Sequence, residues 1–82
     1  MTIQAEISLY TLGVKSQSPA INDLITVLKK HEIEIEPGRM SSIISGDSDK
    51  LFPALQEAFE TVSENSHIVM TFKISNACPV PD

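Results

Sequence analysis

Residues 3–10 of the chain read Ile-Gln-Ala-Glu-Ile-Ser-Leu-Tyr, and an apolar side chain occupies every second position up to Leu9. Successive side chains of a β-strand point to opposite faces, so this pattern predicts a strand with one apolar and one polar face. Residues 67–74 show the same alternation and predict another strand near the end of the chain. The apolar side of that last strand comprises Ile68, Met70, Phe72 and Ile74.

Two helices are predicted between these strands. Ser18-Pro19 is typical of a helix start, and apolar residues then follow at the spacing of one helical face as far as about His31. For the second helix, Pro53 is expected within about the first turn, which places the N-cap near Asp49. The apolar face of this second helix comprises Leu51, Ala54, Leu55, Ala58, Phe59 and Val62.

Two further strands are predicted between the helices. Residues 33–36 alternate isoleucine with glutamate and predict a short edge strand with an acidic outer face, Pro37-Gly38 predicts a turn, and residues 39–45 predict the returning strand. The order strand, helix, strand, strand, helix, strand is that of the ferredoxin-like α+β fold, βαββαβ, with a four-stranded antiparallel sheet and two helices on one face. We expect the first and third strands at its centre, a domain over residues 1–75 and a loose tail over 76–82.

Length and charge limit the function classes. A chain of 82 residues forms one domain, and its net charge of -5 argues against binding to nucleic acid or to an anionic membrane surface. One cysteine, Cys78, allows no intrachain disulfide and no Cys-x-x-Cys metal site. No signal-peptide pattern and no apolar run of about 20 residues is present, so we expect a soluble cytoplasmic protein.

The sheet face turned away from the helices is the predicted site. It would present Glu6, Ser8 and Tyr10 from the first strand, with Thr71 and Lys73 from the last. Such a set suits an amine-bearing heterocycle, because a carboxylate and hydroxyls bond to ring nitrogens and a tyrosine stacks on the ring. Alternatively, Glu6 is half-solvated or pairs with Lys73. The third strand contributes either Ser41 and Ile43 or Met40 and Ser42, and the pattern does not decide between these pairs.

Catalytic and metal-binding motifs are absent from the sequence. His31 and His67 lie on different predicted elements without spaced carboxylates or cysteines, and the Asp47-x-Asp49 pair is typical of a helix cap. The sequence also has no glycine-rich phosphate loop and no Ser-His-Asp set. We therefore expect a binding protein without metal, cofactor or catalytic residues.

Two stretches resemble a known family. Residues 5–10, Ala-Glu-Ile-Ser-Leu-Tyr, and residues 40–47, Met-Ser-Ser-Ile-Ile-Ser-Gly-Asp, are similar to the YkoF-like family that binds thiamine and hydroxymethylpyrimidine. Members commonly have proline where this chain has Thr11, and threonine where it has Ser42. The resemblance implies a non-enzymatic, ferredoxin-like subunit of a homodimer or homotetramer. It also implies a pocket at a subunit interface that uses Glu6, Ser8, Tyr10, Met40, Ser41 and Ser42, with Ile43 and Thr71 beside them on the strands.

Three other functions are compatible with the sequence. The first is a regulatory module for another small metabolite. The second is a small cofactorless enzyme of the dimeric α+β barrel type, for which only His67 and Arg39 offer candidate groups, both near predicted strand ends. The third is an assembly subunit whose open sheet face is fully covered by a second copy.

Overall fold

The fold is ferredoxin-like, as the sequence predicts. The computed structural model describes residues 1–13, 16 and 18–77. The elements, in chain order, are β1 (Thr2–Leu12), α1 (Ser18–Lys30), β2 (Glu34–Pro37), β3 (Ser42–Asp47), α2 (Ser48–Ser63) and β4 (His67–Ser75). The sheet order is β2-β3-β1-β4 and every neighbouring pair is antiparallel, so β1 and β3 form the centre.

One hydrophobic core lies between the sheet and the two helices. The apolar positions of β1 are buried, and both helices contribute to the same cluster, so both cover the same sheet face. The largest fully buried side chains are Ile7, Leu28, Ile44 and Leu51. Ala5 of β1 is paired with Ile44 on one side and Ile74 on the other, which sets the register of the central strands. The core therefore fixes which residues face away from the helices.

Helix α1 ends in a Schellman motif. The Ile33 amide donates to the Leu28 carbonyl at 3.0 Å, and the Glu32 amide donates to the Lys29 carbonyl at 3.0 Å. Glu32 adopts the left-handed conformation, with φ of 62°, at a position where glycine is usual. The helix spans Ser18–Lys30. It ends one residue before the predicted His31, because this reversal begins at His31.

The predicted cap of α2 near Asp49 is wrong. The N-cap is Asp47 and the helix begins at Ser48, because the Ser48 amide donates to the Met1 carbonyl at 2.8 Å and needs no side-chain cap. The Asp47 carboxylate instead accepts from the terminal amine of Met1 at 2.9 Å, which lowers the Asp47 pKa. Pro53 consequently lies inside the helix, beyond its first turn, where it has no N–H to donate to the carbonyl four residues earlier.

The third strand begins later than predicted. Residues 38–41 form a turn in which the Gly38 amide donates to the Ser41 carbonyl at 2.9 Å, so Arg39 and Met40 lie in the turn. β3 then runs to Asp47 instead of ending at Ser45. The turn at Pro37-Gly38 is confirmed, but it takes up more of the chain than a two-residue turn does.

Two phenylalanines assigned to the core are half-exposed. Phe72 is 48% exposed and Phe59 is 47% exposed, although both lie on the predicted apolar faces of β4 and α2. β4 is an edge strand, so among the described residues no further strand or helix covers the outer side of these rings. Ile68, Met70 and Ile74 pack against the core as predicted.

The ends of the predicted domain are only partly described. Residues 14, 15 and 17 of the first loop and residues 78–82 of the predicted tail lie outside the described residues, and Cys78 is among them. The division into a domain at 1–75 and a tail at 76–82 stays a prediction. Neither described helix combines the length and the apolar character needed to cross a membrane.

Candidate functional site

The candidate site is the sheet face opposite the helices, which we call the open face. Its residues alternate with the buried positions of each strand, so Glu6, Ser8 and Tyr10 all point away from the core. Across the four strands, the register aligns a row of side chains that is open to solvent on one side. From β2 to β4, this central row is Glu36, Ile43, Glu6 and Lys73.

Glu6 is the centre of a small polar network. The Ser41 hydroxyl donates to Oε2 of Glu6 at 3.0 Å, and Nζ of Lys73 lies 3.7 Å from Oε1. The Glu6 side chain is 45% exposed, whereas that of Lys73 is 87% exposed. The hydroxyl therefore holds the carboxylate in place, while the exposed, longer contact to Lys73 contributes little to the position of Glu6.

A hollow of about 400 Å³ lies beside this network. The carboxylate of Glu6 and the ammonium of Lys73 stand at its sides, and Ile43 supplies an apolar wall. Pockets for drug-sized ligands have about 300–1,000 Å³ and are mostly apolar with a few placed polar groups. The remaining lining residues are Gln4, Ala5, Ile74 and Ser75.

The far end of the open face is more apolar. Ser8 is paired with Thr71, and the next residue on this face, Tyr10, is paired with Val69. Tyr10 is 51% exposed and Val69 is 46% exposed. At about 3.3 Å per residue, Tyr10 lies about 13 Å along the strand from Glu6. A flat ligand that contacts both residues must therefore span the Ser8–Thr71 pair.

The structure decides which face of the third strand belongs to the site. Ile43 is paired with Glu6 on the open face, and Ser41 donates to the same glutamate. Ser42 is paired with Ile7, which is buried beneath the helices, so Ser42 lies on the helix-facing side. Met40 is 89% exposed in the turn before β3. Of the two pairs left open by the sequence, the open face receives Ser41 and Ile43.

Three residues that line the hollow are missing from the predicted ligand-binding set: Gln4, Lys73 and Ser75. The sequence places Lys73 on the open face, but as an ion-pair partner of Glu6 and not as a ligand-binding residue. The strand alternation places all three on the open face. Their proximity to the hollow follows from the register, in which Gln4 is paired with Ser75 and Glu6 with Lys73.

Metal chemistry has no geometric support in the part of the chain that the structure describes. Within those residues, no group of three His, Cys, Asp or Glu side chains is arranged to hold a metal ion. The polar side chains that line the hollow are instead the Glu6 carboxylate, the Lys73 ammonium, the Gln4 amide and the Ser75 hydroxyl, which are hydrogen-bond donors and acceptors.

Comparison with known proteins identifies relatives over almost the whole chain. UPF0045 protein MJ1052 of Methanocaldococcus jannaschii is 32% identical over 74 residues, which cover 88% of this chain and 74% of that protein. A crystal structure of MJ1052 superposes with a TM-score of 0.84 at 30% identity, covering 94% of this chain and 81% of the other.

More distant structures share the fold. Protein SP2199 of Streptococcus pneumoniae has a TM-score of 0.80 at 20% identity, covering 92% of this chain and 86% of its own. A Thermotoga maritima protein provisionally assigned to thiamine biosynthesis or salvage has a TM-score of 0.77 at 12% identity, covering 90% of this chain and 82% of its own. The YkoF-related family matches residues 2–81. The chain therefore belongs to the YkoF-related family.

Proposed function

We propose that the protein binds thiamine or its hydroxymethylpyrimidine moiety in the open-face hollow, without catalysing a reaction. The observation that carries the proposal is the half-exposed carboxylate of Glu6, held by the Ser41 hydroxyl at 3.0 Å beside a hollow of about 400 Å³. A carboxylate on a central strand is costly unless it has partners, and here its partners leave it accessible from the open face.

The charges of the site suit a cationic heterocycle. Thiamine has a permanently positive thiazolium, and the chain has a net charge of -5. Glu6 and Glu36 flank Ile43 in the central row, so two carboxylates border one apolar side chain. In our proposal the exocyclic amine of the pyrimidine donates to Glu6, and the Ser8 hydroxyl donates to a ring nitrogen. The Ser41 hydroxyl keeps its hydrogen bond to Glu6 and holds the carboxylate in place.

The length of the open face suits two linked rings. With the pyrimidine at Glu6, the second ring of thiamine would extend past Ser8 and Thr71 towards Tyr10. The phenol ring of Tyr10 offers a stacking surface and, for the thiazolium, a cation–π contact. Hydroxymethylpyrimidine alone would occupy only the Glu6 end, so we expect it to bind more weakly than thiamine.

A second copy of the chain is part of the proposal. The hollow is open on the side away from the sheet, whereas sites for small ligands usually bury most of the ligand surface. Tyr10 and Leu12 are 51% and 55% exposed on the open face, and Val69 stands beside Tyr10. A second copy over this face would bury these side chains and enclose the ligand. Family membership supports a binding role, and so does the description of the Thermotoga maritima protein.

Those same apolar side chains favour one competing function, an assembly subunit without a ligand. If two open faces pack directly on each other, the side chains fill the space in which a ring would lie. The two functions differ in one measurable property, because only the first predicts saturable binding of a small molecule that depends on Glu6.

Isothermal titration calorimetry with thiamine and with hydroxymethylpyrimidine tests the proposal. Glu6→Gln keeps an acceptor for Ser41 but removes the charge, and we expect the Kd for thiamine to rise about tenfold, from a loss of about 1.5 kcal/mol. Glu64→Gln is the matched control, because it removes the same charge from an exposed residue after α2. Absence of saturable binding, or equal affinities for Glu6→Gln and the control, would refute the proposal.

A further inference from the structure

The hollow lies on the side of Glu6 that faces away from Tyr10. Its far end is lined by Gln4 and Ser75, which are paired with each other across β1 and β4. At about 3.3 Å per residue, this pair lies about 7 Å along the strands from Glu6 and Lys73. The hollow therefore has a second polar end, and a thiamine molecule that extends from Glu6 towards Tyr10 leaves this end unused.

Ser75 offers a hydrogen-bond donor at this end. Its Oγ atom accepts the Ala77 amide at 2.9 Å. A serine hydroxyl has one O–H to donate and two lone pairs that accept, so the bond to Ala77 occupies a lone pair. It holds the oxygen at the edge of the hollow and leaves the O–H to donate to another group.

Gln4 adds a second donor beside Ser75. Its side-chain amide has two N–H groups, and the side chain is partly buried between Ser75 on one side and Ser45 of β3 on the other. Neither Gln4 nor Ser75 is charged. In a chain with a net charge of -5, and with the Glu6 carboxylate two residues away, this end suits a neutral acceptor such as a carbonyl oxygen.

The two ends of the hollow form one directional pattern. The ionised carboxylate of Glu6 only accepts hydrogen bonds, whereas Gln4 and Ser75 donate, and the Lys73 ammonium is a donor next to Glu6. A 4-amino-2-oxopyrimidine presents the complementary order along one edge, namely an exocyclic amine, a ring nitrogen that accepts and a carbonyl oxygen. The spacing of about 7 Å between the two rows is of the order of the width of one six-membered ring with its substituents.

We propose that the hollow binds 4-amino-2-oxopyrimidines, the chemical class of cytosine, and that Gln4 and Ser75 bind the 2-oxo group. This inference rests on the proposed function, because the amine stays at Glu6, and it widens the ligand class. Hydroxymethylpyrimidine has a methyl group in place of the carbonyl, so it leaves both donors without a partner on the ligand. Pyrimidines with a 4-oxo group are excluded, because that oxygen would face the carboxylate of Glu6.

Calorimetry with matched pyrimidines tests the inference. 5-Hydroxymethylcytosine has the amine and the hydroxymethyl group of hydroxymethylpyrimidine, but it has a carbonyl at the position of the methyl group. We expect its Kd to be about tenfold lower than that of hydroxymethylpyrimidine, because two neutral hydrogen bonds are added. 5-Hydroxymethyluracil has an oxygen in place of the amine, and we expect its Kd to be about tenfold or more above that of 5-hydroxymethylcytosine.

Gln4→Leu tests which side chain contacts the carbonyl. Leucine is similar in size but forms no hydrogen bond, so the Kd for 5-hydroxymethylcytosine should rise about fivefold, while that for hydroxymethylpyrimidine stays within about twofold. Gln56→Leu, the same substitution on the exposed side of α2, is the matched control and should change neither Kd. If Gln4→Leu does not fold, Ser75→Ala removes the other donor and should raise the same Kd about threefold.

The outcomes separate this inference from the proposed function. If hydroxymethylpyrimidine binds and 5-hydroxymethylcytosine binds no more tightly, or if Gln4→Leu weakens both equally, the carbonyl site is wrong and the proposed function stands. Equal affinities for 5-hydroxymethylcytosine and 5-hydroxymethyluracil also overturn it. Binding of 5-hydroxymethylcytosine alone, dependent on Glu6 and Gln4, supports the inference and refutes thiamine as the ligand. If no pyrimidine binds, both are refuted.

Discussion

The turn that precedes β3 predicts a large effect for a small substitution, Gly38→Ala. A Cβ added at Gly38 would lie 2.5 Å from the backbone oxygen of Ser41. The same oxygen accepts the Gly38 amide at 2.9 Å. Because the contact is with backbone and not with the tip of a flexible side chain, the turn must shift or the hydrogen bond must break. Either change displaces Ser41, whose hydroxyl holds Glu6.

The expected loss of stability follows from these two contacts. Breaking a backbone hydrogen bond costs about 0.5–1.5 kcal/mol, and crowding by an added methyl group costs about 1–3 kcal/mol in a packed site. The turn is exposed and relaxes more easily than a core, so the lower ends apply, and together they give about 1.5 kcal/mol. For a domain of this size that corresponds to a fall in Tm of about 6–12 °C.

Gly13→Ala separates loss of stability from loss of the site. Gly13 has a φ of 74°, and nothing lies within 4 Å of an added Cβ, so alanine there costs about 1–2 kcal/mol through the backbone conformation alone. Circular dichroism should show similar falls in Tm for both variants, whereas calorimetry should show weaker thiamine binding only for Gly38→Ala. A Gly38→Ala protein with wild-type Tm, or with wild-type affinity for thiamine, would show that the reasoning about this turn is wrong.

Two further predictions concern the C-terminal end of α1, the first at the reversal that follows it and the second at its ion pair with α2. Glu32→Gly should raise Tm by roughly 4–8 °C, because glycine adopts the left-handed conformation without strain and the exposed ion pair with Lys50 contributes little; an unchanged or lower Tm in a thermal scan counts against this. The Lys30 ammonium donates to the Glu57 carboxylate at 3.1 Å and lowers the pKa of Glu57 from 4.5. The stabilisation is therefore present above pH 4.5 and is lost as the pH falls through the lower folded-state pKa. The Tm of wild type should exceed that of Glu57→Gln at pH 7 and approach it at low pH, and a constant gap would contradict the assignment.

The sequence predicts the first strand and the overall topology well because the relevant patterns are local. In β1 the apolar positions differ sharply from Glu6 and Ser8, and one strand then defines both faces of the sheet. The third strand lacks this contrast, because serine and aliphatic residues alternate on both of its faces. Only the pairing of Ile44 with Ala5 of β1, 39 positions away along the sequence, decides that Ile43 and Ser41 face outward.

The half-exposure of Phe59 and Phe72 and the polar network around Glu6 also depend on how distant parts of the chain pack, so local spacing could not predict them. Helical and strand spacing place Phe59 and Phe72 on apolar faces, but spacing does not reveal that the sheet ends at β4. In the same way, the hydrogen bond between Ser41 and Glu6 joins residues that are 35 positions apart. The predicted cap of α2 is wrong for the same reason, since the Ser48 amide donates to the backbone carbonyl of Met1, which immediately precedes the paired strand β1.

Chemical-shift mapping shows whether thiamine binds to the open face. Thiamine would be titrated into the ¹⁵N-labelled protein, and the amide shifts of the described residues would be followed to saturation. We expect the largest saturable changes at Glu6, Ser8, Ser41, Ile43 and Lys73, with little change along α1. Saturable changes centred on Phe52 and Phe59, or no saturable change at any concentration of thiamine, would contradict this expectation.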